Sequence, residues 1–367
     1  MTWIILFAVL LTLWLVAVFV LSGQDMRNFD SAVDDVFENH PEDEQAVKSL
    51  VTVLKDTRAK ASGTRSIKKA LGVVREFADN ISADLETDSE FKQVTCDGVK
   101  AEWTIPQNCR PGRRILFLHG GAFIFGSPLG HRKMSDQLAK LAQAAVLSVD
   151  YRLMPEHGRK ASIIDAQIAY QWLLQHDVDG VHALDTLLVA GDSAGGNLAL
   201  MLASWSKTHT KRQPDAVIAF SPSTDMTMMS PTIKSNRLTD LMLGEGLGLL
   251  SRLPAVARAW IGLVTLRMNP ANPLASPVFG DLSSLPPTLI HASSNEMLLG
   301  EAIRYANRAK AMGSDVTLQV WKDQIHDWHL FNLGYGSANH AWREVEKFIH
   351  QVVPVAALEA PKSASNH

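Results

Sequence analysis

The chain has 367 residues, 46% of them hydrophobic, and 35 Lys+Arg against 38 Asp+Glu give a net charge of −3. This length supports one large core or two smaller ones, and the balanced charge excludes a strongly basic nucleic-acid binder and a highly charged disordered chain. The only two cysteines, Cys96 and Cys109, exclude a disulfide-dense scaffold and an all-cysteine zinc site, and the absence of a repeat excludes a solenoid or propeller.

Trp3 to Leu21 carries no charge and one mildly polar residue, Thr12. Nineteen residues at about 1.5 Å each span about 28 Å, close to the ~30 Å hydrocarbon core of a bilayer. The reading favoured for residues 1–23 is a single-pass membrane anchor, with a cleaved signal as the alternative. No Lys or Arg precedes the run, and Val20-Leu21-Ser22 is a poor cleavage site. The segment that follows is acidic (Asp25, Asp30, Asp34, Asp35, Glu38, Glu42), with Arg27 the lone nearby base. The missing Lys/Arg cluster fits a large domain on the outer, periplasmic side. There Cys96 and Cys109 could pair; otherwise they are two small apolar residues.

Residues 24–85 are predicted to be helical, with Val47, Leu50, Val51, Leu54, Leu71, Val74 and Phe77 at three- and four-residue steps. Phe91 to Ile105 reads as two strands joined by a turn at Asp97-Gly98. Short apolar runs follow at 115–118, 145–149, 187–190, 216–220, 287–291 and 316–321. Helical stretches near 131–144, 162–176, 194–206, 299–312 and 338–352 separate them. Buried strands alternating with helices predict a mostly parallel sheet covered on both faces. The apolar stretch Leu241–Val264 interrupts this rhythm, and the tail 354–367 is predicted to be disordered.

Gly191-Asp192-Ser193-Ala194-Gly195 follows an apolar strand and opens a helix. This is the context of a nucleophile elbow, in which a serine sits on a strained turn and small residues flank it for steric reasons. His119-Gly120-Gly121-Ala122-Phe123 directly follows the 115–118 strand. The amides of Gly120, Gly121 and Ala194 are therefore expected to form an oxyanion hole. A nucleophilic serine needs a base and an orienting acid, in the chain order serine, acid, histidine. His326, shortly after the last strand, is the favoured base and His329 its main rival. After the 287–291 strand, Asn295 is neutral, Glu296 can carry the charge and Glu301 is the fallback.

Together these residues resemble the hormone-sensitive-lipase-like group of α/β-hydrolases, which includes many bacterial esterases. The resemblance covers roughly residues 90–350: His119–Phe123, Asp150–Leu153 with Pro155-Glu156-His157, Gly191–Gly196, Ser221-Pro222 with Asp225, Asn272–Pro277, and Ile325-His326. It implies an acid on the loop before the helix carrying Tyr305-Ala306, which is Glu296; many relatives carry Asp there. After His157 the usual Pro and aromatic residues are replaced by Gly158-Arg159-Lys160. Tyr151 and Asp165 match family positions and are read as structural. The N-terminal run resembles the membrane-anchored arylacetamide deacetylase branch.

The expected fold is α/β, an α/β-hydrolase with a mostly parallel sheet, a hydrolase domain over 86–353, and a helical cap from 24–85 and about 224–270. The expected activity is hydrolysis of a small, hydrophobic carboxylic ester by Ser193, His326 and Glu296, with no metal or organic cofactor and no nucleic-acid partner. Amide or N-acetyl hydrolysis and non-catalytic ligand binding are the alternatives. Self-association, a homodimer included, stays open.

Overall fold

Short runs of aliphatic and β-branched residues form most strands of one sheet in the computed structural model, which describes residues 1–31, 33, 35–40, 43–180, 183–331 and 336–353. The strands are β1 (Asp35–Phe37), β2 (Glu90–Cys96), β3 (Val99–Ile105), β4 (Arg113–Leu118), β5 (Ala145–Val149), β6 (Thr186–Asp192), β7 (Ala216–Phe220), β8 (Thr288–Ser293) and β9 (Val316–Trp321). Their order is β1-β9-β8-β7-β6-β4-β5-β3-β2. Pairing is parallel except where β3 meets β2 and β5. The β2–β3 hairpin turns through Asp97 and Gly98, both at positive φ, in the pattern of a two-residue primed turn.

The helices are α1 (Thr2–Val16), α2 (Asp43–Ser62), α3 (Ile67–Asp79), α4 (Arg132–Ala142), α5 (Arg159–Leu173), α6 (Ala194–His209), α7 (Thr232–Ser235), α8 (Gly244–Ser251), α9 (Ala255–Leu266), α10 (Leu299–Ala311), α11 (Trp328–Phe331) and α12 (Gly336–Val352). Every residue of β4 is buried. Strand geometry sends Leu116 and Leu118 to one face, against α5, α6 and α10, and Ile115 and Phe117 to the other, against α4 and α12. Two apolar layers thus clamp the middle of the sheet, which is why strands β4 to β9 read as nearly continuous apolar runs. The loops after β4, β6, β8 and β9 gather at one edge of the sheet, where its order reverses around β4, with β5 on one side and β6 on the other.

One part of the 24–85 reading is corrected. Asp35–Phe37 is not helical but pairs in parallel with Gln319–Trp321 and forms the sheet edge. The cause is tertiary: Phe37 stacks on Trp321 with ring centroids 4.3 Å apart. Of that segment, 43–62 and 67–79 form α2 and α3, while 27–29 is a single 3-10 turn and 81–84 is a turn. Cys96 and Cys109 are free thiols, the first buried and the second partly so. The predicted disordered tail, 354–367, lies outside the described residues.

Thr2–Leu21 is one continuous apolar helix of 20 residues, long enough to cross a bilayer by length and composition. Its last turn is not free. Ala17 and Leu21 are buried against Ala259 of α9, with Val16, Val256, Trp260 and Leu263 around them.

Candidate active site

Ser193 lies between β6 and α6 with φ 49° and ψ −110°. Such a conformation is strained for a residue with a Cβ, and it survives because the strand and helix on either side fix it. Any Cβ at Gly195 would collide with the backbone carbonyls of Leu118 and His119, so only glycine lets α6 approach β4 here. Asn197 anchors the first turn of α6. Its Nδ2 donates to the carbonyls of Ser223 and Ala275, both at 2.7 Å, and its Oδ1 accepts from Arg159 at 2.6 Å.

His326 follows β9 and is buried. Its Nε2 is 2.9 Å from Ser193 Oγ, and its Nδ1 is 3.2 Å from Glu296 Oε2. Glu296, also buried, sits on the loop between β8 and α10. Its Oε1 accepts from Ser221 Oγ at 2.6 Å and from the Ser293 amide at 2.9 Å. Both carboxylate oxygens therefore have partners, which fixes the plane of the carboxylate toward the imidazole.

The competing candidates lie elsewhere. His329 is buried in α11 and pairs with His291 Nδ1 at 3.0 Å; burial and the His291 neighbour hold it well below the usual imidazole range. Glu301 is on α10, where it accepts from the amides of Thr224 and Asp225, each at 3.0 Å. Burial, then the nearby Asp225, pushes its carboxyl well above the usual range. The Asn295 amide donates to Ser293 Oγ at 3.1 Å, bracing the loop.

The loop after β4 is held by its carbonyls. The carbonyl of His119 accepts from Tyr151 Oη at 2.6 Å, that of Gly121 from the amides of Ile124 and Phe125, and that of Phe123 from the Met154 amide. Gly121 has φ 111°, a left-handed conformation that favours glycine. Gly120 packs directly on Asp192, and Gly121, Ala122 and Ala194 line the cavities around Ser193. The family positions Tyr151 and Asp165 have structural partners, since Asp165 takes the guanidinium of Arg152 at 2.7 Å.

One group was not singled out in the sequence. Asp327 Oδ2 lies 3.1 Å from His326 Nε2, and Asp327 is buried with φ 55°. Burial raises its carboxyl to about 7, opposed by the His326 charge. Burial alone would lower His326, but Asp327 and then Glu296 outweigh it and hold the imidazole well above its usual value. The signal was adjacent in sequence: a carboxylate next to the expected base. Nearby, Asp192 lies 3.3 Å from His131 Nε2.

Two cavities meet at Ser193. One, of about 210 Å³, is mostly apolar and is lined by Ala194, Phe123, Met226, Ile233, Leu250, Leu266 and Leu298. The other, of about 300 Å³, contains His326 and is walled by Leu54, Val74 and Phe77 of α2 and α3. A larger open groove of about 640 Å³ contains neither Ser193 nor His326. Among the described residues, no group of three or more His, Cys, Asp or Glu could hold a metal.

Residues 115–330 match a family model described as the alpha/beta hydrolase fold. The chain is 31% identical over 259 residues to an esterase of Acinetobacter venetianus, covering 71% of this chain and 81% of that one. It is 33% identical over 250 residues to the carboxylesterase/phospholipase LipF of Mycobacterium tuberculosis, covering 67% and 64%. Among solved structures, an esterase from the bacterial hormone-sensitive lipase family superposes with a TM-score of 0.69 at 28% identity, over 83% of this chain and 98% of that one. An esterase/lipase from an uncultured bacterium gives 0.68 at 34% identity, over 82% and 97%.

Proposed function

Because the chain belongs to the hormone-sensitive-lipase-like esterases of the α/β-hydrolase superfamily and is a carboxylesterase, we propose that it works through Ser193, His326 and Glu296 on a hydrophobic ester. The observation that carries this reading is the hydrogen-bonded line Ser193 Oγ–His326–Glu296 at the junction of two cavities. Ser193 attacks the ester carbonyl while His326 Nε2 takes its proton, and Glu296 orients the ring and stabilises its charged form. The amides of Gly120, Gly121 and Ala194 hold the oxyanion. His326 then protonates the leaving alkoxide, and water deacylates Ser193 by the same route.

The two cavities divide the substrate. The base must face the leaving oxygen, so the cavity containing His326, beneath α2 and α3, takes the alcohol. The apolar cavity that Ser193 and Ala194 also line takes the acyl chain. Residues 24–85 and 224–270 supply most of the walls, as a cap would.

The test is a panel of p-nitrophenyl esters and one aryl amide, run on the wild type and on Ser193→Ala. The expected result is ester hydrolysis and fluorophosphonate labelling that both vanish in a folded Ser193→Ala protein. Normal labelling of that variant overturns the assignment, and faster cleavage of the amide than of the esters would shift the substrate class.

The Thr2–Leu21 helix is read as a membrane anchor. Its large apolar side chains are uncovered, Trp3 being 81% and Phe7 67% exposed, as a bilayer would require. The enzyme should stay with carbonate-washed membranes. A soluble protein with a mature N-terminus near Gly23 would make the segment a cleaved signal instead.

A further inference from the structure

We infer that α8 and α9 form a second membrane-contacting surface, so that the acyl cavity is loaded from the bilayer rather than from water. The inference rests on the anchor reading of Thr2–Leu21. A helix that crosses a bilayer carries to the interface whatever its last turn is packed on. Here that is α9: Ala17 and Leu21 are buried against Ala259, Trp260 and Leu263. The joint is braced by Asn269 Nδ2, which donates to the Val20 carbonyl at 3.0 Å.

The outward side of the same two helices is apolar. Leu249 of α8 is 70% and Val264 of α9 74% exposed, and Leu253 in the link between them is also exposed. An amphipathic helix with such a face, flanked by basic residues, lies in the headgroup region of a membrane. The charge pattern fits. After Glu245, which opens α8 and pairs with Arg58 at 3.0 Å, the chain has no Asp or Glu as far as Gly280 but carries Arg252, Arg258 and Arg267. Arg252 and Arg267 are exposed, one between α8 and α9 and one just after α9; Arg267 also donates to the Pro155 carbonyl at 3.1 Å, and both add positive charge beside this face.

These helices also wall the acyl cavity. Leu250, Ile261 and Thr265 line it, while their neighbours Leu249 and Val264 face outward. One thin apolar layer therefore separates the proposed bilayer contact from the cavity that ends at Ser193. An ester with a long acyl chain, dissolved in the membrane, would reach the nucleophile without crossing water. The substrate class this implies is a membrane-partitioned lipid ester.

The test uses the full chain reconstituted in phosphatidylcholine vesicles containing phosphatidylglycerol, with the double variant Leu249→Glu/Val264→Glu. Neither residue lines a cavity, and both are exposed, so folding and hydrolysis of water-soluble p-nitrophenyl acetate should be unchanged. Turnover of a long-chain ester dissolved in the vesicles should fall about tenfold or more. A wild-type chain that floats with the vesicles, together with a variant that cleaves the dissolved ester at the wild-type rate, overturns the proposal and leaves the anchor intact. A wild-type chain that does not float overturns the anchor reading and the proposal together. A detergent-solubilised dimer that the double variant converts to monomer would also overturn it, by making a second copy the occupant of this face.

Discussion

Asp327 Oδ2 lies 3.1 Å from His326 Nε2, the same nitrogen that faces Ser193 Oγ. His326 is thus held between two carboxyl groups, Glu296 on Nδ1 and Asp327 on Nε2, and both favour its protonated form. Protonated His326 cannot accept the Ser193 proton, so activity falls as pH drops through the imidazole pKa. Removing the Asp327 charge removes part of what raises that pKa. In Asp327→Asn the acidic limb of kcat/KM against pH should therefore move to lower pH, with Asp192 and His131 still in place. An unmoved limb would mean that Asp327 is neutral wherever the enzyme works.

Arg75 ties α3 to the rim of the site. Its guanidinium donates to the carbonyls of Ile124 at 2.9 Å and Met154 at 3.1 Å and pairs with Glu156 at 2.8 Å. Glu156 is half-exposed, so its pairing contributes little, and the two carbonyl bonds dominate. Arg75→Ala should loosen α3 over the alcohol-side cavity and lower kcat/KM about three- to tenfold, mainly through KM. The melting temperature should drop by less than about 4 °C, because the sheet core is untouched. Stopped kinetics and calorimetry on the same protein separate the two effects, and a large loss of melting temperature with unchanged KM would contradict the reading.

Which of these features could be read from the sequence follows a physical division. The elbow at Ser193 and the loop at Gly120-Gly121 were legible because their chemistry demands small residues at fixed spacing. Strands β4 to β9 were legible because burial on both faces leaves little polar alternative. His326 was favoured over His329 for its place after β9; in the structure His326 Nε2 faces Ser193 Oγ, whereas His329 pairs with His291 in the core. The strand at Asp35–Phe37 was missed because three residues in an acidic stretch carry no periodic signal, and their pairing depends on Trp321 far along the chain. The two cavities were also hidden, since they depend on how α2, α3, α8 and α9 pack over the sheet edge.

The acyl cavity gives a chain-length prediction. Its lining is mostly apolar, and burying one methylene contributes about 0.8 kcal/mol. Each added methylene should raise kcat/KM about fourfold on p-nitrophenyl esters from acetate through butyrate. The rise should stop once the space of about 210 Å³ is filled, unless the α8–α9 wall moves. A flat or falling series over these short chains would show that the acyl group binds elsewhere.

Glu296 is predicted to be the orienting acid, and Glu296→Gln is its direct test. The substitution keeps the shape and the acceptor oxygen but removes the charge facing His326 Nδ1. Its amide could donate to the imidazole and favour the wrong tautomer. Comparable changes in serine-hydrolase triads cost up to ~10⁴-fold in turnover, so a loss of at least ~10²-fold is expected. Asp327 cannot take over, because it meets Nε2 and not Nδ1. Ser221→Ala should cost less, since it removes one donor to Oε1 while the Ser293 amide remains. Glu301→Gln should spare turnover. Burial disfavours the Glu301 charge, and a glutamine oxygen can still accept from the Thr224 and Asp225 amides. Near-normal turnover of Glu296→Gln, with Glu301→Gln impaired instead, would move the acid to α10 and end the assignment.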